Sequence, residues 1–365
     1  MHRTLELIML KELTLLKGLL LSRLRNAPSK LNLNITALCN SQCRTCNIWN
    51  VYRQNPAKVR EEMTADEIKQ LLRSLGSHIQ WLTIAGGEPF LYKGFEHILQ
   101  FVIDECPSIR LLSIPSNGLD TDRIMACLER IKNQNRLLLY VTFSIDGPPE
   151  VHDFVRGVDQ GYARTWKTYT EAKKLLEGNR NFRIALETTI SKYNANQIEP
   201  FIKKLISENH TLIVTVAHNA YQYKNEQQES QLFHESSDKV KAIVENVAGH
   251  IRGLSPEKIL KKVYLRNCVR YIENPGKPVL PCTALQNSIV VDPYGTVFPC
   301  TMWNRGIGNI REHDYNLMAL WNTNERRVIK KEIIKGQCPG CWTPCEAYQS
   351  IAENFYRLRV LKNIW

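Results

Sequence analysis

The stretch Leu31-Asn-Leu-Asn-Ile-Thr-Ala-Leu-Cys39-Asn-Ser-Gln-Cys43-Arg-Thr-Cys46 runs from a strand-like segment, Leu31–Thr36, straight into three cysteines. The spacing is three residues, then two. On a short loop this lets three thiolates converge on one small object. Zinc usually takes four protein ligands in a closed structural shell. Three cysteines leave a fourth position open, and an open iron there can bind a small ligand and accept an electron. The alternatives are a zinc loop or three unrelated buried thiols. The position at a strand end favours metal.

Outward from that loop the chain alternates strand and helix. Strand-like segments fall at 31–36, 80–85, 111–116, 138–144, 183–190 and 211–216. Between them the pattern predicts helices near 64–75, 95–106, 121–132, 165–176 and 197–207. Thr64-Ala-Asp-Glu67 is a capping box for the first of these, and Gly76 is its stop. Such alternation implies parallel strands with right-handed crossovers. The expected fold is α/β: a partial (β/α)6 TIM-like barrel, with its site at the C-terminal strand ends. Residues 222–238 are polar and read as a linker, with a helix expected near 238–253. Two short strands, at 287–292 and 296–299, are joined by Asp292-Pro-Tyr-Gly295, a β-turn sequence. A helix near 325–334 follows. The expected division is an N-terminal amphipathic helix (1–30), the barrel (31–222), a linker and helix (223–280), a small Cys-rich α+β module (281–350) and a C-terminal helix or tail (351–365).

The chain has 365 residues, a net charge of +12 and 43% hydrophobic residues, enough for a sizeable core. Its eleven cysteines are odd in number. Eight gather as Cys39, Cys43 and Cys46; Cys282 and Cys300; and Cys338, Cys341 and Cys345. No secretory signal accompanies them, so clustered thiols point to metal in a reducing, cytoplasmic compartment rather than a disulfide scaffold. Cys106 and Cys127 fall on expected helices and read as buried apolar residues. The basic residues are scattered, so nucleic acid is not an expected partner. A basic surface suits an acidic electron donor. Residues 5–24 are leucine-rich but interrupted by Lys11, Glu12 and Lys17, too broken to span a membrane. They read as a helix that packs on the protein or a partner, with peripheral membrane contact as the alternative.

Further motifs stand at successive strand ends: Ala85-Gly86-Gly87-Glu88-Pro89, Pro115-Ser116-Asn117-Gly118, Ser144-Ile145-Asp146-Gly147-Pro148, and Thr188, Thr189 and Asn194. The glycines permit close backbone approach. Glu88 offers an acceptor for an ammonium group, and Pro89 stiffens the exit. Each alone is an ordinary turn; their recurrence is informative. Together with Cys-x3-Cys-x2-Cys after the first strand, they resemble the radical S-adenosylmethionine (SAM) superfamily. The resemblance covers about residues 31–350. It implies that Cys39, Cys43 and Cys46 hold a 4Fe–4S cluster whose fourth iron binds SAM. Reduction then cleaves SAM to a 5′-deoxyadenosyl radical. It implies a SAM site built from Gly86, Gly87, Glu88, Pro89, Asn117, Ser144 and Thr189. Asp146 and Arg156 would face SAM or the substrate, Arg156 as a carboxylate clamp or in a surface ion pair. One departure is Thr45, where the family usually has a bulky residue; Ile48 and Trp49 stand near enough to supply that packing.

Cys282-x12-Gly295-x4-Cys300, with Cys338-Pro-Gly-Cys341-Trp-Thr-Pro-Cys345, resembles the SPASM or twitch extension of that superfamily. The full SPASM form has seven cysteines, and this region has five. That favours one auxiliary 4Fe–4S cluster, ligated by Cys282, Cys300 and two of the last three, with Cys268 as a spare for a two-cluster version. A zinc ribbon is the rival. The resemblance implies an enzyme that abstracts hydrogen from a C–H bond, for oxidative modification of a peptide or a small molecule. Flavodoxin or ferredoxin is the kind of electron donor expected. A non-catalytic iron–sulfur carrier or scaffold is the alternative; it would need neither the glycine motif nor the polar strand ends.

Overall fold

The computed structural model describes residues 26–228, 237–253 and 255–354. The expected helix over 5–24, part of the 222–238 linker and the end of the C-terminal tail lie outside them. Six strands form the barrel wall: β1 (Lys30–Thr36), β2 (Trp81–Gly86), β3 (Leu111–Ser116), β4 (Leu138–Ser144), β5 (Phe182–Ile190) and β6 (Leu212–Val216). They pair in parallel in sequence order. The helices between them are α1 (Val51–Gln54), α2 (Ala65–Ser74), α3 (Phe95–Glu105), α4 (Thr121–Ile131), α5 (Pro149–Arg156), α6 (Gly161–Leu175) and α7 (Ile198–Ser207).

Strand periodicity of two sorts the side chains. On β1, Leu31, Leu33 and Ile35 are fully buried in the core, and Leu82, Ile84, Leu112, Ile114, Leu139, Val141 and Phe143 continue that layer. Lys30, Asn32 and Asn34 point the other way and line an internal cavity. The interior of a closed barrel is normally packed with branched aliphatics. Here it is hollow, with polar side chains set among apolar ones.

Helices α8 (Ser237–His250) and α9 (Pro256–Glu273) follow β6. Strands β7 (Ser288–Val291) and β8 (Thr296–Phe298) form the expected hairpin. Asp292 Oδ1 accepts from the backbone N–H groups of Tyr294 and Thr296, both at 2.9 Å. Gly295 turns the chain at φ +84°. β7 also pairs in parallel with the free side of β1, so the hairpin and the short β9 (Gly308–Asn309) extend the barrel sheet to nine strands. After α10 (Leu317–Trp321) and α11 (Asn324–Ile334), α12 (Pro344–Glu353) packs on α9. These two helices shield the open side between β6 and β1: Tyr264 Oη donates to Thr215 Oγ1 at 3.1 Å, and Lys30 Nζ donates to the Cys345 carbonyl at 2.6 Å.

Five helices escaped the sequence reading: the short α1 and α10, and α5, α9 and α12. Each of the last three opens on a proline at its first position, a residue that reads as a breaker but is pre-set for a first turn. The helix expected from 165 begins instead at Gly161, because Asp153 Oδ1 at the end of α5 accepts the Tyr162 N–H at 2.6 Å.

Candidate functional site

The cysteine loop leaves β1 under tight control. The Ala37 N–H donates to Glu62 Oε1 at 2.8 Å, and Leu38 N–H to Thr36 Oγ1 at 2.9 Å. The glycine motif braces the same segment: Gly87 N–H donates to the Thr36 carbonyl at 2.7 Å and Glu88 N–H to that of Leu38 at 2.8 Å. A Cβ on Gly86 would lie 2.2 Å from the Thr36 carbonyl oxygen, and one on Gly87 would lie 2.2 Å from that of Leu38. The glycines are therefore required for the second loop to reach the first. Farther on, Gln42 and Arg44 N–H donate to the carbonyls of Arg156 and Val155 at 2.9 and 2.8 Å. Trp49 Nε1 donates to the Cys46 carbonyl at 2.9 Å, and Ile48 is buried beside it. These two contacts support the loop where Thr45 offers little bulk.

None of the three thiols is in a disulfide. Burial pushes all of them up, Cys46 to about 12, and neighbouring thiols raise Cys39 and Cys46 further. Arg156 opposes this at Cys43: its Nη1 stands 3.8 Å from Sγ. The Arg156 Nε–Asp146 Oδ2 pair closes to 2.7 Å as a charge contact rather than an aligned hydrogen bond. Burial works against the Arg156 charge, but Asp146 and Cys43 outweigh it and raise its pKa. Asp146 is itself anchored: Oδ1 accepts from Thr189 N–H at 2.9 Å, and its N–H donates to His152 Nδ1 at 3.1 Å. That bond needs a neutral ring, and burial with the Arg156 charge holds His152 down at about 4.

Glu88 is 1% exposed and spends its carboxylate on the neighbouring strand end. It accepts from Asn117 N–H at 2.7 Å, Ser116 Oγ at 3.0 Å and Phe90 N–H at 3.3 Å. Burial raises its pKa to about 7 against those donors. Neither Glu88 nor Pro89 lines the cavity, whereas Gly86, Gly87, Asn117, Ser144 and Thr189 all do. Asn117 Nδ2 reaches Asn40 Oδ1 at 2.7 Å and stands 3.9 Å from Cys39 Sγ.

The cavity has a volume of about 440 Å³ and runs from Cys39, Cys43, Cys46 and Arg156 down the lumen to Lys30, Trp81 and the start of α9. Strand register places Asn32, Thr83, Ser113 and Tyr140 side by side on four strands, a belt of neutral polar groups. Glu187 on β5 adds a carboxyl raised by burial and hydrogen-bonded by Thr142 Oγ1 at 2.8 Å. On α9, Glu257 and Lys261 pair at 2.6 Å. The sequence reading missed this lumen. The signal was present as the alternation Lys30-Leu-Asn-Leu-Asn34 and Trp81-Leu-Thr-Ile-Ala85, polar or amphipathic on one face of strands otherwise packed in core.

Cys282 feels Cys341 and Cys338, Cys300 feels Cys341 and Cys282, and Cys341 feels Cys338. Burial drives Cys282 and Cys300 well above the usual thiol range and Cys341 to about 12. Cys345 lines the barrel cavity, which the other four do not. Glu346 is buried near the four; it accepts from Ser288 Oγ at 2.5 Å and Gln349 Nε2 at 2.9 Å, and burial raises it to about 7. Cys268 packs in α9 against Tyr264, and Cys106 and Cys127 are buried in the core. Among the described residues, no three His, Cys, Asp or Glu side chains close around one point at the spacing of a single ion. No described helix is long and apolar enough to cross a membrane.

A partial parallel barrel with a three-cysteine loop after its first strand, joined to a second cysteine module, defines a class of iron–sulfur enzyme. The chain belongs to the radical SAM superfamily: the model of that family matches residues 33–205, and an iron–sulfur cluster-binding SPASM domain matches residues 282–342. Its cofactors are SAM, the 4Fe–4S cluster that binds it, and auxiliary iron–sulfur in the SPASM domain. The fold is similar to that of anSMEcpe with bound AdoMet (TM-score 0.58, 16% identity, 92% of this chain and 95% of that one). It is similar to anSMEcpe with AdoMet and a Kp18Cys peptide (0.59, 16%, 92% and 99%). It is also similar to Streptococcus suis SuiB bound to S-adenosylmethionine (0.59, 16%, 84% and 68%). No curated protein is similar enough in sequence to stand as a relative.

Proposed function

We propose that Cys39, Cys43 and Cys46 hold the SAM-binding cluster, and that Gly86, Gly87, Asn117, Ser144 and Thr189 form the SAM side of the cavity. The single observation that carries this is that the three cysteines line the same half-open barrel cavity as Gly86, Gly87, Asn117, Ser144 and Thr189. When bound and reduced, cluster and SAM together supply a 5′-deoxyadenosyl radical, which takes hydrogen from a substrate C–H bond. The chain's own share is positional. Thiols whose burial keeps them protonated would give up their protons to the metal they bind, and Arg156 adds a positive charge beside Cys43. Glu88 fixes the Asn117 loop, and Asp146 fixes Thr189 and Arg156. Pro89 stiffens the glycine loop.

Cys282, Cys300, Cys338 and Cys341 are read as the ligands of one auxiliary cluster, with Cys345 outside the set. Such a cluster would accept the electron of a substrate radical, giving oxidative modification. The substrate is a peptide or a small molecule; that a similar fold was solved with a peptide bound favours the peptide. An acidic flavodoxin or ferredoxin suits the +12 chain as donor, in the cytoplasm.

Anaerobic reconstitution with iron and sulfide tests the reading. About eight iron atoms per chain are expected, with 5′-deoxyadenosine on adding SAM and dithionite. Iron without SAM cleavage would make the chain an electron carrier, and a colourless zinc protein would end the proposal.

A further inference from the structure

The cysteine loop borders two spaces. One is the barrel lumen. The other is an open groove of about 460 Å³ whose lining includes Cys43, Arg44, Cys46, Trp49, Lys192 and Tyr193. Cys43, Cys46 and Trp49 line both spaces, so this part of the loop is the partition between them. Among the described residues no carboxylate lines the groove. Its cations lie on rings instead. Arg44 Cζ stands 3.9 Å from the Phe154 ring centroid, and Arg44 Nε donates to the Phe154 carbonyl at 3.0 Å. Arg53 Cζ stands 4.9 Å from the ring of Trp49, and Lys192 Nζ 5.3 Å from that of Tyr193. Phe154 and Tyr193 meet edge to face at 6.3 Å, and Phe154 is 49% exposed.

Elsewhere on the surface, arginines sit against carboxylates: Arg73 on Glu105, Arg130 on Glu96, Arg305 on Glu325. Arg44 and Arg53 are exposed and have no ion pair among the described residues. A cation stacked on a ring is held in place without having its charge cancelled. We propose that this groove is the docking site of the electron donor: a small acidic one-electron carrier protein seats a carboxylate-rich face on Arg44 and Arg53 and delivers its electron at Cys43 and Cys46. The proposal rests on the SAM-cleavage reading above. One electron leaves the carrier, which is oxidised, and enters the metal group held by the loop, which is reduced; no bond forms or breaks. Entry from the groove leaves the lumen to SAM and substrate. A small charged face with one exposed ring suits a transient redox encounter, in which opposite charge steers association.

The probe is an acidic flavodoxin, oxidised for binding and fully reduced for turnover, with iron-loaded full-length protein at low salt. Bound flavodoxin should raise hydrogen-exchange protection over 42–53 and 153–158. Arg53→Glu should weaken its binding about tenfold by calorimetry, and Arg44→Glu with Arg53→Glu should weaken it further. At limiting reduced flavodoxin, 5′-deoxyadenosine formation by Arg53→Glu should fall about tenfold. With dithionite, which needs no docking face, the same variant should match wild type. Unchanged affinity in both variants, or protection only in other segments, overturns the docking site. An equal fall of Arg53→Glu with both reductants makes Arg53 a support of the loop and overturns it as well. Absence of 5′-deoxyadenosine from wild type with dithionite would bring down the SAM-cleavage reading itself, and the proposal with it.

Discussion

The two cysteine regions differ in how they are assembled. The first takes its three thiols from eight consecutive residues on one loop, and that loop opens onto the lumen. The second draws four from a hairpin and a loop roughly forty residues away in sequence, and none of those four lines the lumen. The difference separates two jobs. A loop with three thiols and a cavity beside it suits a metal group with a position left for a small ligand. Four cysteines set apart from the cavity suit a closed group that exchanges only electrons.

The comparison breaks most sharply under cysteine substitution. Cys43→Ala should abolish 5′-deoxyadenosine formation and remove about four irons, because the open site loses a ligand. Cys300→Ala should also remove about four irons, but SAM cleavage should continue while product formation stops. Equal loss of cleavage in both variants, by chromatography of the nucleoside, would erase the distinction between the regions. Arg156→Lys comes next. It keeps a charge but cannot span Asp146 and Cys43 together, so SAM cleavage should fall about tenfold with iron retained.

The smallest effect concerns pH and has opposite sign in the two regions. His152 on α5 is held neutral at about 4 when folded, against 6.5 when free. Its region is therefore fully stable above 6.5 and loses stability as pH falls through 4. Glu346 on α12 is held protonated to about 7, against 4.5 when free. Its region is fully stable below 4.5 and loses stability as pH rises through 7. Each contributes roughly 3 kcal/mol at most. Hydrogen-exchange protection of metal-free protein, compared at pH 5 and 8, should fall in 149–156 on the acid side and in 344–353 on the alkaline side. Parallel behaviour of the two segments would contradict the assignment.

Much of the first region was legible in the sequence because its chemistry is local. Three cysteines, a glycine pair and strand-end asparagines are read from short spacings, and regular strand–helix alternation placed them at one end of a barrel. The surroundings of Glu88 were less legible: its place in a glycine turn suggests an acceptor for an ammonium group, and its carboxylate also takes three donors from its own chain. That Cys345 lines the lumen while the other four C-terminal cysteines do not was not legible at all. Cys338, Cys341 and Cys345 are evenly enough spaced to read as one set. Only the turn into α12 shows that Cys345 lines the lumen, its carbonyl held by a lysine that begins β1 some three hundred residues earlier.

β1 is hydrogen-bonded on both edges, to β2 on one side and to β7 on the other, with Asn32 opposite Thr83 and Val290. During synthesis the second edge stays bare until residue 291 has left the ribosome, long after the cysteine loop has emerged. An unpaired central strand is an invitation to mispairing. Closing so distant a contact is slow in its own right. The strand that delivers the three thiols therefore gains its final support last, and the nascent chain has an interval in which iron delivery, not folding, can come first.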